Sequence, residues 1–236
     1  AGMPFHAYVK QNIFEPLGMA HSSFDTNWIK EQQNRASGNS VIIPKMPVEI
    51  PIIPSGGMYS CAEDMARYIC FHLNGGMANS ELVMSSETLE LMYTIPCAYP
   101  GQNLGYALGI SAAARNNSLF RNHGGGGFGF LSLMMWYPKY EFGVITLSNS
   151  TNHNLQHEIA HALADEIITY KNKILGMTQE AQPTGFPGKS SHRPLPGEPG
   201  PNKPAWRQWL GDYRITVFGY PVDKKRIDIK NGYLHY

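Results

Sequence analysis

The chain has 236 residues, of which 42% are hydrophobic and 16% charged, the balance of a globular protein with a real core in one large domain or one and a half. A formal net charge of +1 excludes an electrostatic case for nucleic acid or for an acidic membrane surface. The longest apolar run, 128–137, is too short to cross a bilayer, and three cysteines (Cys61, Cys70, Cys97) without a CxxC spacing exclude a disulfide framework.

In chain order, residues 4–17 read as a helix. Pro4 suits its first position, Phe5, Tyr8, Val9 and Ile13 keep helical spacing, and Gly18 stops it. Residues 20–54 lose periodicity, and the proline-rich stretch 41–54 reads as extended chain that lines a cleft. Ser60-Cys61-Ala62-Glu63 is a capping box opening a second helix. Its apolar stripe is Ala62, Met65, Ala66, Ile69, Cys70 and Leu73, with Cys70 a small buried hydrophobe, and Asn74-Gly75-Gly76 ends it. A short helix follows at 86–93.

Strand-like segments come next, at 105–111, 118–122, 129–136 and 142–148. Their short connections imply antiparallel neighbours, and Val144-Ile145-Thr146-Leu147 has the β-branched content of a central strand. Residues 153–175 form the longest helix, with Leu155, Ile159, Ala162, Leu163, Ile167, Tyr170 and Ile174 as its apolar face. Residues 176–204 hold seven of the 17 prolines and five glycines, and read as a linker. Residues 205–236 turn apolar again and, with an Asn231-Gly232 hairpin signal, read as the start of a small β module. The expected domains are thus 1–175, a linker 176–204 and a module 205–236.

Chemistry concentrates at Arg121-Asn122-His123-Gly124-Gly125-Gly126-Gly127-Phe128. Backbone without Cβ lets a substrate lie against it, and an imidazole beside bare N–H groups suits acyl transfer. The alternative is a flexible glycine loop with a surface histidine. A second motif, His157-Glu158-Ile159-Ala160-His161, matches the zinc-peptidase pattern HExxH, with two ligands at i and i+4 and a glutamate as base. No downstream third ligand is evident, and both histidines lie about 170° from the apolar stripe, as on a solvated surface. His6, His21, His72, His153, His192 and His235 carry no partner pattern and read as solvated or structural.

Three segments in order carry a resemblance: Phe14-Glu15-Pro16-Leu17-Gly18-Met19, Pro54-Ser55-Gly56-Gly57-Met58-Tyr59-Ser60 with Ala62-Glu63-Asp64-Met65, and His123-Gly124-Gly125-Gly126. Over residues 1 to about 175 the chain resembles the serine hydrolases of the β-lactamase and penicillin-binding-protein superfamily, in its class C-like branch of esterases and D-amino-acid peptidases. The resemblance implies an α+β fold, an antiparallel sheet flanked by helices, with the first and last helices on one face and the cleft beside an edge strand bearing His123. It implies His123 as the first position of the third active-site motif, Gly126 as the backbone donor to the oxyanion, and Gly124, Gly125, Gly56, Gly57 and Tyr59 as substrate-contacting positions, with Ser55 a weaker candidate. It implies a small-molecule or peptide acyl substrate, no cofactor and no metal, and an exported bacterial protein. No Ser-x-x-Lys occurs, and the only Tyr-x-Asn, Tyr170-Lys171-Asn172, falls after the glycine run, where Tyr170 reads as a core residue. The expectation is therefore a chain that begins inside the fold, needs an N-terminal half for a complete site and is inactive alone. A catalytically dead binding relative is the remaining alternative.

Overall fold

The computed structural model describes residues 2–41, 48, 53–95, 104–176, 210–217, 220–230 and 233–235. The first helix starts as predicted, α1 (Phe5–Val9), but then widens into a π-helical stretch, Lys10–Phe14, before a last turn, α2 (Glu15–Leu17). Pro16 brings no N–H for the bond back to Asn12, which is a local reason for the widening. Gly18, at φ +70°, closes the helix. Pro4 caps the helix from outside instead of filling its first position. The π stretch rotates the inward face, so Val9, Phe14 and Leu17 are buried while Phe5, Tyr8 and Ile13 stay exposed.

This first helix does not pack on the sheet, contrary to the expectation that it shares a face with the last. Its buried residues, with Met19, cluster against Phe71 of α5 (Ala62–Leu73) and Leu89 of α6 (Ser86–Tyr93). Between the first helix and α5 lie α3 (Thr26–Glu31) and a single turn, α4 (Ile53–Gly56), so the end of the proline-rich stretch is helical; residues 42–47 and 49–52 lie outside the described residues. No capping box forms on α5. Its N-cap is Cys61, and the Ser60 hydroxyl instead meets Ser22 Oγ at 2.8 Å. Cys70 is exposed, while Asp64, Ile69, Phe71 and His72 are the buried residues. The inward face of α5 is thus set by aromatic partners and a buried carboxylate, which an aliphatic stripe does not reveal.

Beyond a small ribbon of β1 (Met77–Ala78) and β2 (Glu81–Leu82), the main sheet is an antiparallel meander. Its strands are β3 (Gly105–Tyr106), β4 (Ser111–Arg115), β5 (Ser118–Gly127), β6 (Phe130–Tyr137) and β7 (Phe142–Ser148), in that spatial order. Three expectations change here. The segment 105–111 is only a two-residue strand and a turn, in which Ala107 N–H donates to Ile110 O at 2.8 Å. The glycine run continues β5 instead of looping out. And β7, for all its β-branched residues, is the outermost strand among the described residues, its apolar content explained by helices on both of its faces.

On one face of β6 and β7 lies α7 (Leu155–Leu175). Its docking face is Gln156, Ala160, Ala164 and Ile168, not the predicted stripe. Ala160 is 0% exposed, whereas Leu163 is 50% and Tyr170 63% exposed, so Tyr170 is no core residue. The sheet supplies Leu133, Met135 and Tyr137 on this face, the turn from β6 to β7 adds Tyr140, and the helix meets these large side chains with small ones. The other face carries Ile69 of α5 against Trp136, with Tyr93 of α6, Met134 and Ile145 around them.

The chain divides into two compact units, Ala1–Gly185 and Phe186–Tyr236. Within the second, β8 (Gly211–Val217), β9 (Tyr220–Lys230) and β10 (Tyr233–His235) form an antiparallel sheet in the order β10-β9-β8. Lys230 pairs with Tyr233 on either side of the expected Asn231-Gly232 turn, which itself lies outside the described residues, as does nearly all of the expected linker.

Candidate active site

The glycine strand is built from its hairpin. β5 and β6 are joined by Phe128 and Gly129, at φ +54° and +81°, a two-residue turn with both central residues left-handed. Gly127 then faces Phe130, and register runs back through Gly126↔Leu131, Gly125↔Ser132, Gly124↔Leu133 and His123↔Met134. Antiparallel pairs alternate between bonded and non-bonded, and a two-residue turn makes Gly127↔Phe130 a bonded pair. The N–H groups of Gly126 and Gly124 therefore point away from β6. On that side β4 pairs with β5 only as far as Ser111↔Asn122, so beyond Asn122 the strand has no neighbour among the described residues. His123 to Gly126 are exposed along this open flank. β5 is thus interior to the sheet over its first half and an edge over its second.

Nothing in the described residues forces Gly124 or Gly126 to be glycine. Neither has a positive φ. A Cβ on Gly124 would sit 3.5 Å from its nearest neighbour, and one on Gly126 would sit 3.2 Å from Leu131 Cδ2. The bareness of this backbone is consequently not a demand of folding, and it leaves room for something to lie on it.

His123 projects to the α5–α6 side of the sheet, as do Arg121, Gly125 and, from β6, Phe130, Ser132 and Trp136. Its ring has Tyr106 as neighbour, with centroids 6.3 Å apart. Two residues back, the Arg121 guanidinium lies 3.7 Å over the Tyr93 ring. The Tyr93 hydroxyl meets His72 Nδ1 at 2.6 Å, and the His72 ring stacks on Trp136 at 4.8 Å. Burial and the Arg121 charge hold the His72 pKa down to about 4, burial pushes the Tyr93 phenol up, and burial lowers Arg121. The strand that carries His123 is thus anchored from below by a neutral histidine and a cation stacked on a tyrosine. No sequence spacing announced this cluster, because its members come from α5, α6, β5 and β6.

The loop positions are distributed less evenly. Tyr59 is half-buried, its ring 5.8 Å from Phe130 and perpendicular to it, and its backbone exchanges two hydrogen bonds with Ser23. This links Tyr59 to the hairpin tip. Gly56 is exposed, while Gly57 is buried with its N–H on Ile53 O at 2.9 Å. A Cβ on Gly57 would lie 2.9 Å from Ile53 Cα, so packing alone accounts for that glycine.

The HExxH segment does not assemble a metal site. His157 and Glu158 are exposed, whereas His161 turns toward the sheet with its ring 5.7 Å from Phe120. Desolvation lowers the His161 pKa, with the Arg115 charge assisting. Asp165, the next acid along the helix, is taken by Arg115 in an ion pair of 2.8 Å. Among the described residues no three His, Cys, Asp or Glu side chains converge. The expected surface placement holds for His157 and fails for His161, which lies beside the docking face of Ala160 and Ala164.

A Ser–His contact that the sequence did not suggest also proves structural. Ser148 Oγ and His153 Nε2 are 2.9 Å apart. Leu155 N–H donates to His153 Nδ1 at 3.2 Å, which fixes the ring proton on Nε2. The ring then donates to Ser148 and cannot deprotonate it.

The Beta-lactamase family profile matches residues 1–168. A putative penicillin-binding protein PbpX of Bacillus subtilis (strain 168) is 27% identical over 128 residues, covering 52% of this chain and 29% of that protein. The octameric penicillin-binding protein homologue from Pyrococcus abyssi superposes with a TM-score of 0.55 at 23% identity, over 77% of this chain and 40% of that one. A class C beta lactamase from Rhodobacter sphaeroides superposes with a TM-score of 0.54 at 18% identity, over 72% and 55%. At these identities the superpositions establish fold. The chain spans less than a third of the length of the curated relatives it matches. Among the described residues, no helix is long and apolar enough to cross a membrane.

Proposed function

The chain belongs to the beta-lactamase family, and from that premise we propose that it forms the oxyanion side of a serine hydrolase site acting on esters, amides, D-amino-acid peptides or β-lactams. The observation that carries the reading is the open flank of β5, where Gly124 and Gly126 present bare backbone that neither dihedral angle nor packing requires. In this reading the Gly126 N–H donates to the oxygen of a tetrahedral intermediate. Such a donor contributes on the order of 10²–10³ in rate. Gly124 and Gly125 let the substrate lie along the strand, His123 hydrogen-bonds a catalytic tyrosine or the substrate, and Tyr59, Gly56 and Gly57 border the cleft.

The attacking hydroxyl comes from elsewhere. Residues 1–236 contain no Ser-x-x-Lys, and Ser148, which meets the His153 ring, receives a hydrogen bond instead of losing a proton. A serine outside these residues would attack the acyl carbon, release the alcohol or amine, and pass the acyl group to water. The bacterial origin of the penicillin-binding relative suits an exported protein. The test is hydrolysis of a 4-nitrophenyl ester by residues 1–236 and by a longer chain carrying a Ser-x-x-Lys. Turnover by the longer chain only is expected; turnover by residues 1–236 alone would refute the division of labour.

A further inference from the structure

A strand with four successive glycines poses a physical problem. An oxyanion donor works only if it is held in place before the reaction, and glycine is the residue least able to hold itself. β6 supports one side of the strand and nothing described supports the other beyond Asn122. The rigidity has to enter at the hairpin tip, two residues past Gly126.

The tip is gripped by the segment 37–41, which the sequence offers only as aperiodic chain. Asn39 N–H is shared between Gly129 O at 3.1 Å and Asn149 O at 2.9 Å. Asn39 O accepts from Thr151 N–H at 3.1 Å, and Asn39 Nδ2 donates to Asn149 O at 3.2 Å. Asn149 Nδ2 donates back to Ser37 O at 3.0 Å. One residue earlier the contact is backbone on backbone. A Cβ on Gly38 would clash with the Phe128 carbonyl and lie 2.8 Å from the Phe130 ring. A Cβ on Gly129 would lie 2.5 Å from Asn39 N. Here, unlike at Gly124 and Gly126, glycine is required by close approach.

We propose that Gly38 and Asn39 are positioning residues for Gly126, a backbone clamp that fixes the hairpin tip and thereby the direction of the Gly126 N–H. The proposal rests on the reading of Gly126 as an oxyanion donor, and it adds the residues that preorganise it. The methyl of Gly38→Ala must push the Phe128 carbonyl away, and the glycine strand moves with it.

The test uses ¹⁵N-labelled chain 1–236 and an active longer chain. In Gly38→Ala the amide resonances of Gly124 and Gly126 are expected to move and hydrogen exchange of the Gly125 and Gly127 amides, which bond to β6, to accelerate about tenfold or more, while the buried Trp136 indole stays put. Should Gly38→Ala not fold, the wild-type chain decides: the Asn39 amide, shared between Gly129 O and Asn149 O, is expected to exchange about tenfold or more slower than an unbonded amide, and exchange at the free rate there overturns the clamp. Unmoved glycine amides in the folded variant overturn the clamp. In the active chain the same substitution is expected to lower kcat on the order of 10²-fold with KM nearly unchanged. Glycine amides that move while kcat holds would leave the clamp standing and retire Gly126 as the donor.

Discussion

His72 makes acid the sharpest probe of this fold. The side chain is 5% exposed, stacked on Trp136, edge-on to Tyr68, bonded to the Tyr93 hydroxyl and facing Arg121, whose charge Glu90 partly offsets. Its pKa is held down to about 4, against 6.5 for an unperturbed histidine. Below pH 6.5 the unfolded chain binds a proton that the folded chain refuses, so stability falls as pH falls through this window and levels off near pH 4. Between pH 7 and pH 5 this one group removes about 2 kcal/mol, and about 3 kcal/mol by pH 4. His161, lowered in the same direction by desolvation, adds to the slope.

The assay is urea unfolding of the wild type and of His72→Phe at pH 7 and pH 5. Phenylalanine keeps the stack on Trp136 and cannot titrate. The variant loses the Tyr93 bond at every pH, so the informative quantity is the difference of the two pH responses, which cancels the carboxylates common to both chains. The wild type should lose about 2 kcal/mol more than the variant on going to pH 5. An equal loss in both chains would show that the folded state protonates His72 without penalty, and the argument from burial and Arg121 would fail. An NMR titration of the His72 ring, expected to stay neutral to below pH 5, checks the same point directly.

Asp64 is 1% exposed and accepts from His21 N–H and Ser22 Oγ, both at 2.7 Å, so Asp64→Ala should destabilise by about 2–3 kcal/mol in thermal or urea unfolding through the loss of both bonds and of the buried side chain's packing. On α7, Ala164→Leu should cost about 1–3 kcal/mol by overpacking against the sheet, while Leu163→Lys on residues 1–236 should stay within about 0.5 kcal/mol, the reverse of what the sequence stripe implies. Gly126→Ala should leave the melting temperature level or raise it, since only Leu131 Cδ2 at 3.2 Å opposes the methyl, yet lower kcat/KM in an active longer chain.

Helix and strand existence was legible wherever local chemistry decides it. The helix Ser86–Tyr93 and the strand Phe142–Ser148 fall where Ser85 caps and where β-branched residues cluster. Facing was not legible. α7 carries two apolar stripes, a bulky one and a small one, and periodicity favours the bulky one, whereas a sheet face already filled by Tyr137, Tyr140 and Met135 selects Ala160 and Ala164. In the first helix the π-helical stretch shifts the inward face from Ile13 to Phe14, a change of one residue that no average period anticipates. The beta-lactamase likeness depended on neither choice, because it was carried by turn and motif residues (Gly18, Gly57, His123, Gly124) whose roles are local.

The candidate site divides along the same line. His123 and the glycines stand out because composition there is extreme. What holds them in place does not, because clamp and anchor are made of backbone contacts and of side chains far apart in sequence: Gly38 and Asn39 at the tip, His72, Tyr93 and Arg121 beneath the strand. A glycine in such a site can mean two opposite things. At Gly38 and Gly129 it allows one backbone to press on another and removes freedom, while at Gly124 and Gly126 it leaves a surface bare. Only the contact a Cβ would make separates the two. That distinction predicts the outcome of mutation: methyl groups at the first pair should disturb structure, and methyl groups at the second should disturb only what binds.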